Sequence, residues 1–224
     1  MSEYLLSTSG LTKQFGHHKA VNNVDLHVKK GAIYGFIGRN GAGKTTFLKM
    51  ISGLSKPTDG EIQMFGYRNE ELKNVRSRIS CLIEAPGIYG NMSAYHNLAI
   101  KCRLFGINDS KYIENILKIV GLSEVGKKKT KHFSLGMKQR LGIGLALVGE
   151  PDLLVLDEPI NGLDPQGIAE IRDMLLRLKE EQNMTIIISS HILEELSKIA
   201  THYGIIHNGS LIQELQEKID DSLQ

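Results

Sequence analysis

Apolar residues along the chain fall into two kinds of run. Residues 32–37, 79–83, 153–156 and 185–188 are short, nearly continuous apolar stretches, partly β-branched and bounded by polar or turn residues. Such runs predict strands buried on both faces of a parallel sheet. Residues 168–181 instead place apolar side chains at 168, 171, 174, 175 and 178, the spacing of one helix face. Residues 46–51 continue a glycine-rich turn into another predicted helix. Asn208-Gly209 between two short apolar runs predicts a hairpin near the end of the chain. Strands alternating with helices predict an α/β fold around a parallel sheet.

The middle of the chain reads differently. From about 93 to 149 the pattern is helical, with no convincing strand. Residues 94–105 and 112–120 carry helical apolar spacing, and 135–148 is apolar almost all round. The picture is a helical segment inserted between two halves of an α/β core. The dense basic stretch 126–132 (GKKKTKH) reads as a solvated loop.

Composition narrows the function classes. The length of 224 residues suits one large domain or two small ones. A net charge of +2, from 27 basic and 25 acidic residues, provides no strong field for nucleic acid or acidic lipid. Cys81 and Cys102 form no CxxC pair or disulfide framework, which points to a reducing compartment. The first residues lack the pattern of a signal peptide. No apolar run approaches the roughly 20 residues of a membrane helix. The expectation is a soluble chain that works at a membrane only through a partner.

The candidate chemistry is concentrated at strand ends. Residues 38–45 (GRNGAGKT) match GxxxxGK[ST], directly after a predicted strand and before a predicted helix. Glycines let backbone N–H groups approach phosphates, and the helix start adds positive potential. Lys44 is expected to reach the β- and γ-phosphates, and the Thr45 hydroxyl to ligate Mg²⁺. Gly38, Asn40, Gly41, Gly43 and Thr46 complete the expected cradle for ATP. Residues 153–158 (LLVLDE) are an apolar strand ending in two carboxylates, where ligands of parallel sheets bind. Asp157 is then the expected Mg²⁺ partner and Glu158 the general base that orients and deprotonates water. His191 follows another strand, placed to donate to the γ-phosphate or to hold the water.

These motifs, in this order, resemble the ATP-binding subunit of ABC transporters. Residues 133–140 (FSLGMKQR) are similar to the family signature LSGGQxQR. Ser134, Gly136, Gln139 and Arg140 match, whereas Leu135 replaces a glycine and Met137 a glutamine. Residues 161–164 (NGLD) correspond to the D-loop, with Asp164 at its end, and His191 to the switch histidine. Phe15 stands where the family places an aromatic against adenine. The resemblance covers essentially the whole chain.

It implies a P-loop NTPase core formed by 1–84 and 150–224, with a small N-terminal antiparallel β part. Residues 85–149 become a helical signature subdomain. It also implies a head-to-tail homodimer burying two ATP molecules. In each, Ser134 and the amides around Gly136 complete the γ-phosphate shell of the partner's nucleotide. By the same resemblance the chain sits at the cytoplasmic face of the membrane, held by separate transmembrane permease subunits. Residues 85–97, with Pro86, Ile88, Tyr89 and Met92, lie beside the groove that accepts them.

One departure narrows the resemblance. Glu84 occupies the position where the family usually carries glutamine, near Mg²⁺ and the γ-phosphate. The runs 83–89 (IEAPGIY) and 133–147 together resemble the ATPase subunits of lantibiotic self-immunity exporters and their bacitracin-resistance relatives. The implied function is ATP hydrolysis that powers export of a peptide antibiotic, with Glu84 among the metal and catalytic residues. The alternatives are a general drug exporter and, from a different class, a soluble ABC ATPase acting on nucleic acid or ribosomes. The latter relatives carry tandem cassettes, zinc modules or long coiled coils, none of which is present in this sequence.

Overall fold

The structure, a computed structural model, describes residues 3–216. The chain opens with β1 (Tyr4–Phe15), β2 (His18–Lys29), β3 (Ile33–Ile37) and α1 (Lys44–Ile51). It continues through β4 (Asp59–Met64), β5 (Tyr67–Arg68), a run of 3₁₀ turns and β6 (Ile79–Leu82). Three helices follow: α2 (Ala94–Leu104), α3 (Ser110–Ile119) and α4 (Leu135–Leu147). The chain returns as β7 (Leu153–Asp157), α5 (Pro165–Gln182), β8 (Thr185–Ser190), α6 (Leu193–Leu196), β9 (His202–His207) and β10 (Ser210–Gln216).

Two sheets result. One runs β10-β9-β3-β8-β7-β6, parallel from β9 to β6, with β10 antiparallel at one edge. The other is antiparallel, in the order β2-β1-β4-β5. β7 and β8 are buried at every position, as their unbroken apolar runs predict. The predicted hairpin joins β9 to β10, with Asn208 and Gly209 at φ 47 and 81, both left-handed as a two-residue turn of this kind requires.

The faces of the parallel sheet bury two apolar clusters. One lies between that sheet, α1 and the antiparallel sheet, with Phe36 and Phe47 at its centre and their rings 4.9 Å apart. The other joins the opposite face to α5 and to the inserted helices, so Leu98, Ile116 and Leu141 share a core with Leu154 and Ile186. The inserted helices therefore pack onto the sheet rather than around a core of their own.

Each long helix starts at a residue that satisfies its free amides. Ser93, Asp109, Ser134 and Asp164 are the N-caps of α2, α3, α4 and α5, and each side chain accepts a hydrogen bond from an amide of the first turn. Among the described residues no helix is long and apolar enough to cross a membrane.

The basic stretch 126–132 is more than a solvated loop. Its lysines are exposed, but Thr130 is fully buried and donates its hydroxyl proton to the Tyr89 carbonyl at 3.0 Å. Lys131 N–H donates to the Gly90 carbonyl at 2.9 Å, and Lys129 forms a bridge with Ser93. The charged side chains are thus solvated while their backbone fastens the loop before α2.

Candidate active site

The sheet order brings the predicted motifs together. β3, β8, β7 and β6 are adjacent and parallel, with Ile37 beside Ser190, Asp157 beside Ser189 and Leu82 beside Leu156. Their C-terminal ends therefore present the phosphate loop, His191, the Asp157-Glu158 pair and Glu84 along one crevice.

The glycines of the phosphate loop serve two purposes. A Cβ on Gly38 would stand 2.6 Å from the Ile206 carbonyl, and one on Gly43 would strike the Ala20 carbonyl. These two glycines let the loop press against β9 and β2. Gly41 differs: its φ of 80 favours glycine, and open space lies where a side chain would point. Asn40 and Gly41 are exposed and Thr46 is half-buried.

Lys44 is buried although it carries a charge, and its neighbours explain why. Its amino group donates to the carbonyls of Gly38 (2.6 Å) and Arg39 (3.2 Å) and lies 3.1 Å from Glu158 Oε1. That ion pair lacks hydrogen-bond geometry, so Glu158 Oε1 is a buried acceptor without a hydrogen bond. The other carboxylate oxygen, Oε2, lies 2.9 Å from His191 Nδ1. Glu158 thus sits between a fixed cation and an imidazole.

Asp157 is held on both oxygens. Thr45 donates its hydroxyl proton to Oδ2 and Ser189 to Oδ1, each at 2.6 Å. The Glu158 amide in turn donates to Ser189 Oγ at 2.9 Å. Glu158 has left-handed backbone, φ 49. This conformation costs a non-glycine residue on the order of 1 kcal/mol and gathers at functional sites.

Glu84, next to β6, also has positive φ, 64. Its carboxylate is two-thirds exposed and pairs at 2.5 Å with Lys49, one turn along α1 from Thr45. Among the described residues no hydrogen bond links Glu84 to Thr45, Asp157 or Glu158. The crevice therefore brings together Lys44, Thr45, Asp157, Glu158 and His191, with Glu84 at its margin. Phe15 ends β1 with 56% of its surface exposed, and Lys13 Nζ lies 5.2 Å from its ring.

The signature residues stand apart from this network. Ser134 Oγ accepts from the Met137 amide at 3.2 Å, Gly136 is half-buried, and Leu135 is 53% exposed. Asp164 caps α5 through the Gly167 amide at 3.0 Å. Among the described residues no hydrogen bond or ion pair joins Ser134 or Gly136 to the phosphate loop.

Ser189 escaped the sequence reading, since a serine between an isoleucine run and a histidine carries no motif. The clamp around Tyr89 escaped it too. Asn97, nearly fully buried, accepts from the Tyr89 amide at 2.8 Å and donates to the Ser93 carbonyl at 2.9 Å. A buried polar residue on an otherwise apolar helix face was the available signal.

This constellation matches known proteins along nearly its whole length. The family profile described as ABC transporter matches residues 21–161. A bacitracin transport ATP-binding protein, BcrA of Bacillus licheniformis, is 49% identical over 214 residues, covering 94% of this chain and 69% of that protein. A lantibiotic transport ATP-binding protein, SrtF of Streptococcus pyogenes, is 42% identical over 220 residues, covering 98% of this chain and 94% of that one. A nucleotide-free ATP-binding cassette from an ABC transporter superposes with a TM-score of 0.85 at 27% identity, covering 96% and 92% of the two chains. The chain belongs to the ABC transporter family and is its ATP-binding subunit, an ATPase with the cassette fold. Within that class its relatives include ATP-binding proteins of bacitracin and lantibiotic transport.

Proposed function

We propose that this chain hydrolyses ATP to power export of a lantibiotic or similar peptide antibiotic through separate membrane subunits, giving self-immunity or resistance. The observation that carries the reading is the 42–49% identity, over nearly the whole chain, to relatives named for bacitracin and lantibiotic transport. The chain would sit at the cytoplasmic face of the membrane. Residues 1–84 and 150–224 act as its ATP-binding core and 85–149 as its signature subdomain.

The site chemistry fits MgATP. The Thr45 hydroxyl and Asp157 carboxylate are hard oxygen donors side by side, the type a Mg²⁺ ion takes together with phosphate oxygens. Among the described residues no cluster of three or more His, Cys, Asp or Glu could hold a metal unaided. When bound, Mg²⁺ neutralises charge on the phosphates. Lys44, released from the Gly38 and Arg39 carbonyls, binds the β- and γ-phosphates. The amides around Gly41 and the start of α1 face them. Glu158 orients the attacking water and takes its proton, while His191 holds the carboxylate in line and reaches the γ-phosphate. Phe15 stacks on the adenine, and Glu84 lies at the metal side of the crevice.

Ser134 and Gly136 have exposed or half-buried positions at a helix start and, among the described residues, no hydrogen bond or ion pair to their own phosphate loop. They suit a head-to-tail homodimer, each completing the shell of the other chain's ATP, with Asp164 at the same junction. The permease would dock at the loop before α2. There a cavity of about 280 Å³ is lined by Pro86, Tyr89, Ile100 and Leu104, and the Asn97 and Thr130 clamp keeps Tyr89 presented outward.

The test is survival of cells carrying the chain with its membrane subunits, challenged with bacitracin and with a lantibiotic. Resistance that disappears in Glu158→Gln supports the reading. Unchanged sensitivity to both, with resistance to unrelated drugs, moves the chain to general drug export. Tyr89→Asp should abolish co-purification with the membrane subunits while ATP binding persists; normal assembly would remove this loop from the docking surface.

A further inference from the structure

The signature run departs from the family pattern at Leu135, which replaces a glycine. Leu135 is the first residue of α4 and half-exposed. An exposed leucine is commonplace, but this one has a specific neighbour. A Cβ on Gly162 would stand 3.3 Å from Leu135 Cδ2, so the leucine lies over the Gly162 backbone. One residue further along each segment, a Cβ on Gly136 would stand 3.7 Å from Leu163 Cδ2. Each leucine thus covers the glycine beside the other.

The segment so gripped leads directly from Glu158. Gly162 is left-handed, φ 74, Ile160 is buried, and Leu163 packs on the apolar cluster shared by sheet and helices. The 159–163 turn therefore has little slack between Glu158 at one end and the start of α4 at the other. A glycine at 135 would offer no side chain to touch it.

We infer that Leu135 is a positioning residue for hydrolysis: its contact with Gly162 ties the start of α4 to the turn that carries Glu158. The inference rests on the reading of Ser134 and Gly136 as the half-site for the partner's γ-phosphate. Phosphate held there pulls on the first turn of α4. A close apolar contact passes that displacement to the 159–163 turn, and so to the carboxylate that must align the water. A misplacement of about 1 Å at such a group is enough to lower a rate on the order of a hundredfold.

The experiment compares steady-state ATPase kinetics of the full chain with those of Leu135→Ala, Leu135→Met, Gly162→Ala and the Leu135→Ala/Gly162→Ala double variant. Leu135→Ala should lower kcat by about tenfold with half-saturating ATP within about twofold, the split expected when alignment is lost and binding is kept. Leu135→Met should recover to within about twofold of wild type, since it restores apolar reach. The double variant should lose less than the product of the two single losses, because the residues share one contact. Wild-type kcat in Leu135→Ala, or losses that simply multiply in the double variant, overturns the inference. Ser134→Ala separates the two layers. If it is impaired while Leu135→Ala is not, the Leu135 role alone falls. If Ser134→Ala hydrolyses at the wild-type rate, the half-site reading falls and the inference with it.

Discussion

The starts of α1 and α4 are equipped to different degrees. At the start of α1, Lys44 is buried, Thr45 is hydrogen-bonded to Asp157, and Glu158 and His191 close the group. At the start of α4, Ser134 caps its own helix and Leu135 lies half-exposed over the Gly162 backbone. Both offer free amides and a positive helix end. Of the two, the first gathers within one chain an ammonium group, two carboxylates and an imidazole. On the proposed reading the second only recognises phosphate. On the proposed head-to-tail reading, hydrolysis that needs both starts needs two chains, and the unevenness of one chain would make dimerisation and catalysis the same event.

The sharpest way to break the comparison is to disable the finished site without emptying it. Glu158→Gln keeps the shape and a hydrogen-bonding oxygen but removes the carboxylate proposed as the base, so kcat should fall by about 10²–10⁴-fold. On the proposed reading Lys44 and His191 remain to hold nucleotide. With cleavage blocked, the variant should accumulate as an ATP-bound dimer, seen as a shift in size-exclusion volume with MgATP. Wild-type turnover in Glu158→Gln would take the general-base role away from this carboxylate.

The next effect is on binding. Lys44→Ala removes the buried cation and leaves the Gly38 and Arg39 carbonyls and Glu158 without it. Charge-assisted hydrogen bonds are worth about 1.5–3 kcal/mol, so ATP affinity should fall by about one to two orders of magnitude. Phe15→Ala should cost less. Its ring is more than half exposed, so a loss near the lower end of the roughly 1–3 kcal/mol typical of base stacking is expected. Fluorescent ATP analogues titrated against the two variants would rank them. A neutral Phe15→Ala would place the adenine elsewhere.

The two regions also differ in how far the sequence revealed them. The parallel strands were legible because β7 and β8 are buried throughout and read as unbroken apolar runs. The antiparallel sheet was not read from its own residues, although β2 alternates cleanly at Val24, Leu26 and Val28. Opposite it, the period of β1 breaks where the register shifts between Thr8 and Leu11, around Gly10 at φ 60 and facing Asn23 at φ 52. A bulge of this kind hides a two-residue period from a linear reading. The run 38–45 was legible because its GxxxxGK[ST] spacing lies within one segment. Ser189, which orients Asp157 from the neighbouring strand, has no fixed spacing to it and needed the sheet register to be seen. The left-handed turns at Glu84 and Glu158 were equally invisible, since neither residue type announces positive φ.

The smallest expected effect is at Glu84, on the margin of the finished site. Its ion pair with Lys49 is largely exposed, and such pairs contribute only about 0–1 kcal/mol, so Glu84→Gln should barely move the melting temperature. Glutamine keeps an acceptor for the Lys49 amino group and retains the backbone turn. What it removes is a negative charge at the margin of the crevice that holds the Thr45 hydroxyl and the Asp157 carboxylate. A carboxylate can ligate or water-bridge a hard cation, and it repels phosphate unless the metal lies between. Because ATP arrives as its Mg²⁺ complex, attraction to the metal should dominate. Lys49 moderates the effect by partly offsetting the carboxylate's charge. Glu84→Gln should therefore retain much of the ATPase activity but need more Mg²⁺ for half-maximal rate, a shift of less than about tenfold for one weakly coupled charge. Export should suffer more than hydrolysis, since this residue joins the end of β6 to the loop that presents Tyr89. ATPase rates across Mg²⁺ concentrations, set beside antibiotic survival of cells carrying the complete transporter, measure both halves. A Glu84→Gln chain matching wild type in both would make the acidic position incidental, and the distinction between this crevice and that of a glutamine-bearing cassette would disappear.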